Sequence, residues 1–254
     1  VGVSYGHLND FYFQTSNILF ANSKFDNSSY DLFSASLRIE GNSLDDKLYP
    51  VSGKQQYLIA QYINGKEKYK PATTTAYTST NDGNHSWLQI KGRLHNYHQF
   101  SNKFNLGYTA EMVISSKNLY NNYTASILQA PAFTPTPHST IVFNEAFRAN
   151  QYAAIGLSPI FKLSKFVHFR TDFYCFAPMY EIKKEIISTG SSYVDVPYYG
   201  KFMRSYNFMG ETSLVIRLPF ASISLYANGY SYPKQNFNFG LNIGYLLFNP
   251  KMLD

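Results

Sequence analysis

A single cysteine, Cys175, excludes an internal disulfide and any cysteine-based zinc framework. Charge is scarce as well: 15% of the residues are Asp, Glu, Lys or Arg, against about 25% in ordinary globular chains. The net charge is +6, yet the basic residues are scattered and form no run. A nucleic-acid partner therefore has no footprint here, and basic loops facing lipid head groups or lipopolysaccharide explain the sign equally well. No apolar stretch reaches about 18 residues, which excludes a spanning helix and says nothing against spanning strands. The chain opens VGVSYG, with neither Met nor a signal peptide, and reads as a mature piece or a fragment.

What is abundant is aromatic: 23 Tyr and 21 Phe. They sit in stretches of strict alternation. In KFNLGYTAEMVI (103–114), Phe104, Leu106, Tyr108, Ala110, Met112 and Ile114 share one side. Asn105, Gly107, Thr109 and Glu111 share the other. Period two is the signature of a strand with one apolar and one polar face. The same pattern recurs over 33–42, 87–95, 153–163, 167–175, 206–218, 221–229 and 237–247, with less regular strands at 1–8, 10–22 and 53–64. That predicts about eleven strands, most of roughly 9–12 residues, the length a tilted strand needs to cross a bilayer. A soluble sandwich turns the apolar face inward, whereas a membrane barrel turns it out to lipid.

The connections separate these arrangements. They alternate tight (48–53, 98–103, 163–166, 218–221) and longer (65–84, 115–150, 180–204, 230–236), as in up-and-down outer-membrane barrels. The expected fold class is therefore all-β: a transmembrane antiparallel up-and-down β-barrel in the outer membrane of a Gram-negative bacterium. Eleven is an odd count and an open edge in lipid is costly, so strands are expected to be missing on the N-terminal side. Residues 1–254 would then be the C-terminal part of one barrel domain.

The polar faces carry Arg38, Glu40, Lys91, Arg93, Glu111, Arg170, Glu211 and Arg217, expected to form a salt-bridge lattice in the lumen. Trp87 and the Tyr clusters at 62–64, 198–199 and 230–232 fall near strand ends, as interfacial anchors do, although a glycan-stacking platform uses similar residues. His95 and His98 lie three apart, hence on opposite faces of a strand, so they do not suggest a metal site.

The stretch EGNSLDDKLYPVSGK (40–54), with its aromatic-Pro-x-x-Gly turn at Tyr49, Pro50 and Gly53, resembles the BamA-type outer-membrane assembly superfamily. So does the strand order that follows, with a long loop carrying FRANQY (147–152) and then five strands. The stretches NYTASILQAPAFTPTPHSTIVFNEAFRANQYAAIGLSPIF (122–161) and NFGLNIGYLLFNP (238–250) are closer to the C-terminal barrels of patatin-like phospholipases from Bacteroidota. The resemblance implies a barrel of about sixteen strands, of which this chain supplies the later ones. It also implies an upstream periplasmic-type module and a patatin domain with lipid-hydrolase activity, which the barrel anchors and helps export. Residue by residue, it matches Arg148 to the family's loop arginine and Asp172 to its acceptor, a lock between loop and lumen. Here Ala149 replaces the family's Gly, Asn150 replaces its aromatic, and Gly156 and Ser158 stand where the first acidic partner would be.

No G-x-S-x-G occurs, and GLSPI (156–160) lacks the closing Gly of a nucleophile elbow, so the chain is expected to carry no catalytic, cofactor or metal site. Its expected partners are outer-membrane lipid and lipopolysaccharide, with an envelope protein complex or a homodimer left open. An assembly or translocation barrel and a soluble glycan-binding β protein are the alternative readings.

Overall fold

In a computed structural model, residues 1–14, 24–75, 77, 79–189, 192–218, 221–232 and 237–245 are described. The long strands come first: β1 (Gly2–Tyr12), β2 (Asp26–Asn42), β3 (Gly53–Lys70), β4 (Asn81–Gln99) and β5 (Phe104–Ser115). A short helix α1 (Tyr123–Leu128) lies in the loop before β6 (Tyr152–Lys162) and β7 (Val167–Pro178). Then follow β8 (Ile182–Thr189), β9 (Ser192–Tyr199), β10 (Asn207–Arg217), β11 (Ala221–Tyr230) and β12 (Asn238–Tyr245). Ten strands form one antiparallel sheet in the order β1-β2-β3-β4-β5-β6-β7-β10-β11-β12. The β8–β9 hairpin is separate and is inserted in the connection between β7 and β10.

Three expectations change. The strand expected at 1–8 runs on without a break to Tyr12 as β1, and most of the strand expected at 10–22 lies in residues 15–23, outside the described residues. Among the described residues the sheet has ten strands. The connection expected over 65–84 shrinks to 71–80, because GKEKYK and NDGNHS continue β3 and β4 with polar side chains on both faces. The loop expected over 180–204 contains the β8–β9 hairpin. Among the described residues, β1 pairs only with β2 and β12 only with β11, so the sheet keeps two edges instead of closing.

The alternation is realised with the apolar side out. Met112 is 48% exposed beside Glu111 at 3%, and Leu157 is 54% exposed beside Ser158 at 1%. Leu37, Leu58, Leu88, Phe173, Leu225 and Leu241 are exposed likewise, while Thr109, Arg170, Asp172, Glu211 and Ser224 are buried. A soluble fold has the opposite sense.

The buried face is concave, and it is filled in two layers. Near the tight turns it is polar. Toward the long loops it is aromatic: Phe133 and Phe147 from the β5–β6 loop pack among Val113, Tyr152, Tyr174, Phe176, Met209 and Tyr230. Phe133 stacks on Phe176 with ring centres 6.1 Å apart, and Phe147 meets Tyr230 edge-on at 5.7 Å.

Candidate functional site

At both ends of the curved sheet, chain folds back against its buried face. At the tight-turn end this is the β2–β3 connection, residues 43–52. Asp45 accepts from the amides of Val51 and Ser52 at 2.9 and 3.0 Å, and Asp46 accepts from Leu48 and Tyr49, so two carboxylates shape the loop through local side-chain-to-backbone bonds. Burial pushes the Asp45 carboxyl up, but those amides and the Arg217 guanidinium outweigh it and hold it below the usual carboxylate range. Gly53 ends the turn at φ +96°, and a Cβ there would stand 2.1 Å from the Ser43 carbonyl oxygen. Only glycine tolerates that geometry.

The turn then reaches across the interior. Tyr49 is buried, and its hydroxyl bonds Ser224 Oγ on β11 at 2.6 Å and accepts from Asn242 on β12 at 3.1 Å. Arg170 on β7 donates to the Pro50 carbonyl at 3.3 Å, and Arg217 on β10 donates to Asp45 at 2.8 Å. The three residues of the expected turn motif thus act together: Tyr49 and Pro50 contact the far wall, and Gly53 makes the bend.

At the other end the plug is the β5–β6 loop, residues 116–151. Asn122 caps α1 by accepting from the Ala125 amide at 2.8 Å, and its Nδ2 donates to the Tyr12 hydroxyl on β1 at 2.7 Å. Gln129 donates to Asp10 on β1, and Thr136 donates to Glu211 on β10 at 2.9 Å. His138 bonds Asn228 on β11. One loop therefore touches strands from both sides of the sheet. Its root is Lys117, whose Nζ donates to the Gln129 carbonyl at 2.7 Å and lies 5.0 and 4.6 Å from the ring centres of Trp87 and Tyr120. Burial pushes this ammonium down to about 7 against the opposing pull of Glu67.

The expected charge lattice resolves into separate clusters. Glu111 is clasped by Arg93 and by Lys91, the latter at 3.1 Å, and also accepts from the Tyr152 hydroxyl. Arg170 holds Asp172 through two bonds of 2.7 and 2.9 Å. Arg38 and Glu40 pair at 2.7 Å in a largely exposed position. Arg217 leaves the wall to hold Asp45 and Asp46 of the turn. Among the described residues Glu211 joins no ion pair. It lies directly opposite Asp172 across β7 and β10, an arrangement of like charges that Arg170 and Thr136 relieve from separate directions.

Arg148 and Asp172 are not brought together, and the lock inferred from resemblance is corrected accordingly. Arg148 lies in a β-bridge opposite Ala132, donates to the carbonyls of Leu128 and Ala130 at 2.7 and 3.1 Å, and covers the Phe143 ring. Asp172 is occupied by Arg170 and by Ser158. The arginine therefore braces the loop internally, and Asn122, Gln129, Thr136 and His138 make its contacts to the wall. His95 points inward to Thr109, while His98 packs against Phe100.

Sequence reasoning also missed a polar cluster on the extended part of β3. Buried Glu67 accepts from Asn121 at 2.8 Å and lies 3.0 Å from His85, tying the loop to the ribbon of β3 and β4. A single Glu between lysines in GKEKYK (65–70) was the available signal. Comparison with protein-family models, with curated proteins and with solved structures found no match.

Proposed function

We propose that this chain is wall and plug of an outer-membrane β-barrel that serves as an anchor rather than an open pore. The reading rests above all on the exposure pattern, clearest along β5, β6, β7 and β10: apolar side chains outward, polar and charged ones inward. The loops that occupy the inner face support anchoring over conduction, since they bond to strands far apart in the sheet order. The resemblance of 122–161 and 238–250 supports an upstream patatin-like lipid hydrolase as the anchored domain, with closure completed by further strands. A soluble glycan-binding protein is disfavoured, because the outward band would stand in water. The unpaired edges of β1 and β12 favour assembly or translocation as the second reading, with a seam there admitting client strands.

Paired spin labels test the membrane reading. In a Cys175→Ser background, cysteines replacing Leu157 and Ser158 are labelled after reconstitution into lipid vesicles. Oxygen dissolved in the bilayer is expected to reach the label at 157, and a water-soluble nickel chelate is not. Chelate access at 157 sinks the reading. The anchored domain is tested by the intact mass of the native polypeptide from outer membranes. A mass far above 29.0 kDa, with peptides containing G-x-S-x-G, is expected, and 29.0 kDa removes the hydrolase.

A further inference from the structure

Two of the tyrosine clusters set aside as interfacial anchors do not lie apart on the wall. Tyr198 on β9 and Tyr232 after β11 line one cleft at the loop end, together with Tyr123 on α1 and Tyr206 before β10. The cavity measures about 680 Å³, inside the roughly 300–1,000 Å³ range of small-ligand sites. Tyr198, Tyr206 and Tyr232 are 44, 53 and 57% exposed. Aromatic girdle residues ring the convex outside of a barrel at the head-group level. These four come from four separate segments and face a hollow that also holds charged side chains.

The polar set is mixed in sign. Glu145 and Glu181 face the cleft with Arg148, Lys183 and Lys184. Several of these groups are already held: Tyr123 donates to Glu145 at 3.1 Å, Lys184 pairs with Asp195 at 2.8 Å, and Arg148 braces the loop. Glu181 and Lys183 pair at 3.2 Å while both remain more than 40% exposed, so water or a ligand exchanges with them at little cost. A polyanion would meet two carboxylates, and a purely apolar ligand would strand the charges. Several flat amphipathic rings beside donors and acceptors of both kinds suit a ligand that is itself two-faced. A pyranose is such a ligand: one face presents C–H groups and the rim presents hydroxyls that both donate and accept.

We propose that the cleft between α1, the β8–β9 hairpin and the ends of β10 and β11 binds a short neutral oligosaccharide, with Tyr198, Tyr206 and Tyr232 as stacking surfaces and Lys183 and Glu181 bonding its hydroxyls. The proposal goes beyond the membrane reading and needs only the folded chain.

The test uses the native polypeptide that carries this sequence, and its variants, extracted from outer membranes into an amine-oxide detergent, which has no sugar head group. Maltotriose, cellotriose, chitotriose and mannotriose are the probes, followed by saturation-transfer NMR and titration calorimetry. At least one is expected to bind. Tyr206→Ala and Tyr232→Ala should each weaken it about fivefold to tenfold, the effect of losing one stacked ring. Tyr62→Ala, on the outer face of β3, should leave affinity unchanged. Should a tyrosine variant fail to fold, Lys183→Gln carries the same test, with a severalfold loss expected. Absence of binding by all four sugars, or binding that survives these substitutions, overturns the proposal. Displacement of the sugar by millimolar inorganic phosphate overturns it in favour of an anion site.

Discussion

The hydroxyl groups of Tyr49 and Ser224, 175 positions apart in the chain, lie 2.6 Å from each other inside the curved sheet. Through them the first tight turn is fastened to β11, and Asn242 donates to the same phenolic oxygen at 3.1 Å. Tyr49→Phe keeps the ring and removes the oxygen, which leaves buried Ser224 short of a partner. The expected loss is about 1–3 kcal/mol, the cost of an unsatisfied buried hydroxyl. It should appear as a lower temperature for conversion of the folded, fast-migrating form to the slow form on gels. An unchanged temperature would show that the turn does not brace the wall.

Glu111 is the shared acceptor of Lys91, Arg93 and Tyr152. Glu111→Ala leaves two cations on the inner face without a counterion, and breaking a buried pair costs roughly 3–5 kcal/mol. The triple variant Lys91→Met, Arg93→Met, Glu111→Leu removes the charges together and should recover most of that loss. Denaturant titration of the refolded variants in detergent checks both. A triple variant as weak as the single one would mean that the ion cluster itself, and not the avoidance of stranded charge, stabilises the wall.

These contacts also mark where sequence stops being informative. Period-two alternation located β5 to β7 and β10 to β12 because every second residue there meets the same environment. The ends of β3 and β4 escaped it: Lys66, Lys68 and Asn84 are polar on the outer face and Glu67 and His85 on the inner one, so no contrast exists to read. The β8–β9 hairpin escaped because adjacent Ile186 and Ile187 fall on opposite faces, which mixes apolar and polar groups on each. Arg38, Lys91, Arg93, Glu111, Arg170, Glu211 and Arg217 could be placed on a polar face, yet their pairing could not be, since partners such as Thr136 and Asp45 come from loops that fold back over distances the pattern does not encode. Arg148 shows the limit most clearly. Its position in the loop matched a family motif, but the bridge between Ala132 and Arg148 turns it to Leu128 and Ala130.

Gly53 tests the turn from its backbone side. Its φ of +96° and the 2.1 Å approach of a hypothetical Cβ to Ser43 leave no room for a side chain. Gly53→Ala should therefore cost more than the roughly 1–3 kcal/mol of a strained backbone position, because a clash adds to the strain. Slower and less complete refolding into detergent is the expected observation. Gly92→Ala, whose Cβ meets nothing closer than 3.7 Å, is the matched control and should fold normally. Equal yields for the two would show that the geometry of this turn does not limit folding.

Lys117 gives the loop plug a pH dependence whose sign follows from burial. In the folded chain its ammonium is pushed down to about 7, whereas an unfolded lysine titrates near 10.4. Between those values the undocked chain binds more protons than the docked one, so docking gains stability as pH rises from about 7 to about 10. Below pH 7 both states are protonated and the full penalty of a buried ammonium is present. Limited proteolysis within residues 116–151 should therefore be faster at pH 6 than at pH 9, after correction for the protease's own profile. Lys117→Met keeps the stem packed on Trp87 and Tyr120, removes the charge, and should flatten this dependence. Glu67 and His85 face the same region and form a pair of their own, so the comparison is repeated in a His85→Asn background. A pH dependence that survives Lys117→Met but vanishes with His85→Asn would transfer the effect to the Glu67–His85 pair. Loss of it with Lys117→Met alone assigns it to the ammonium at the root of the loop.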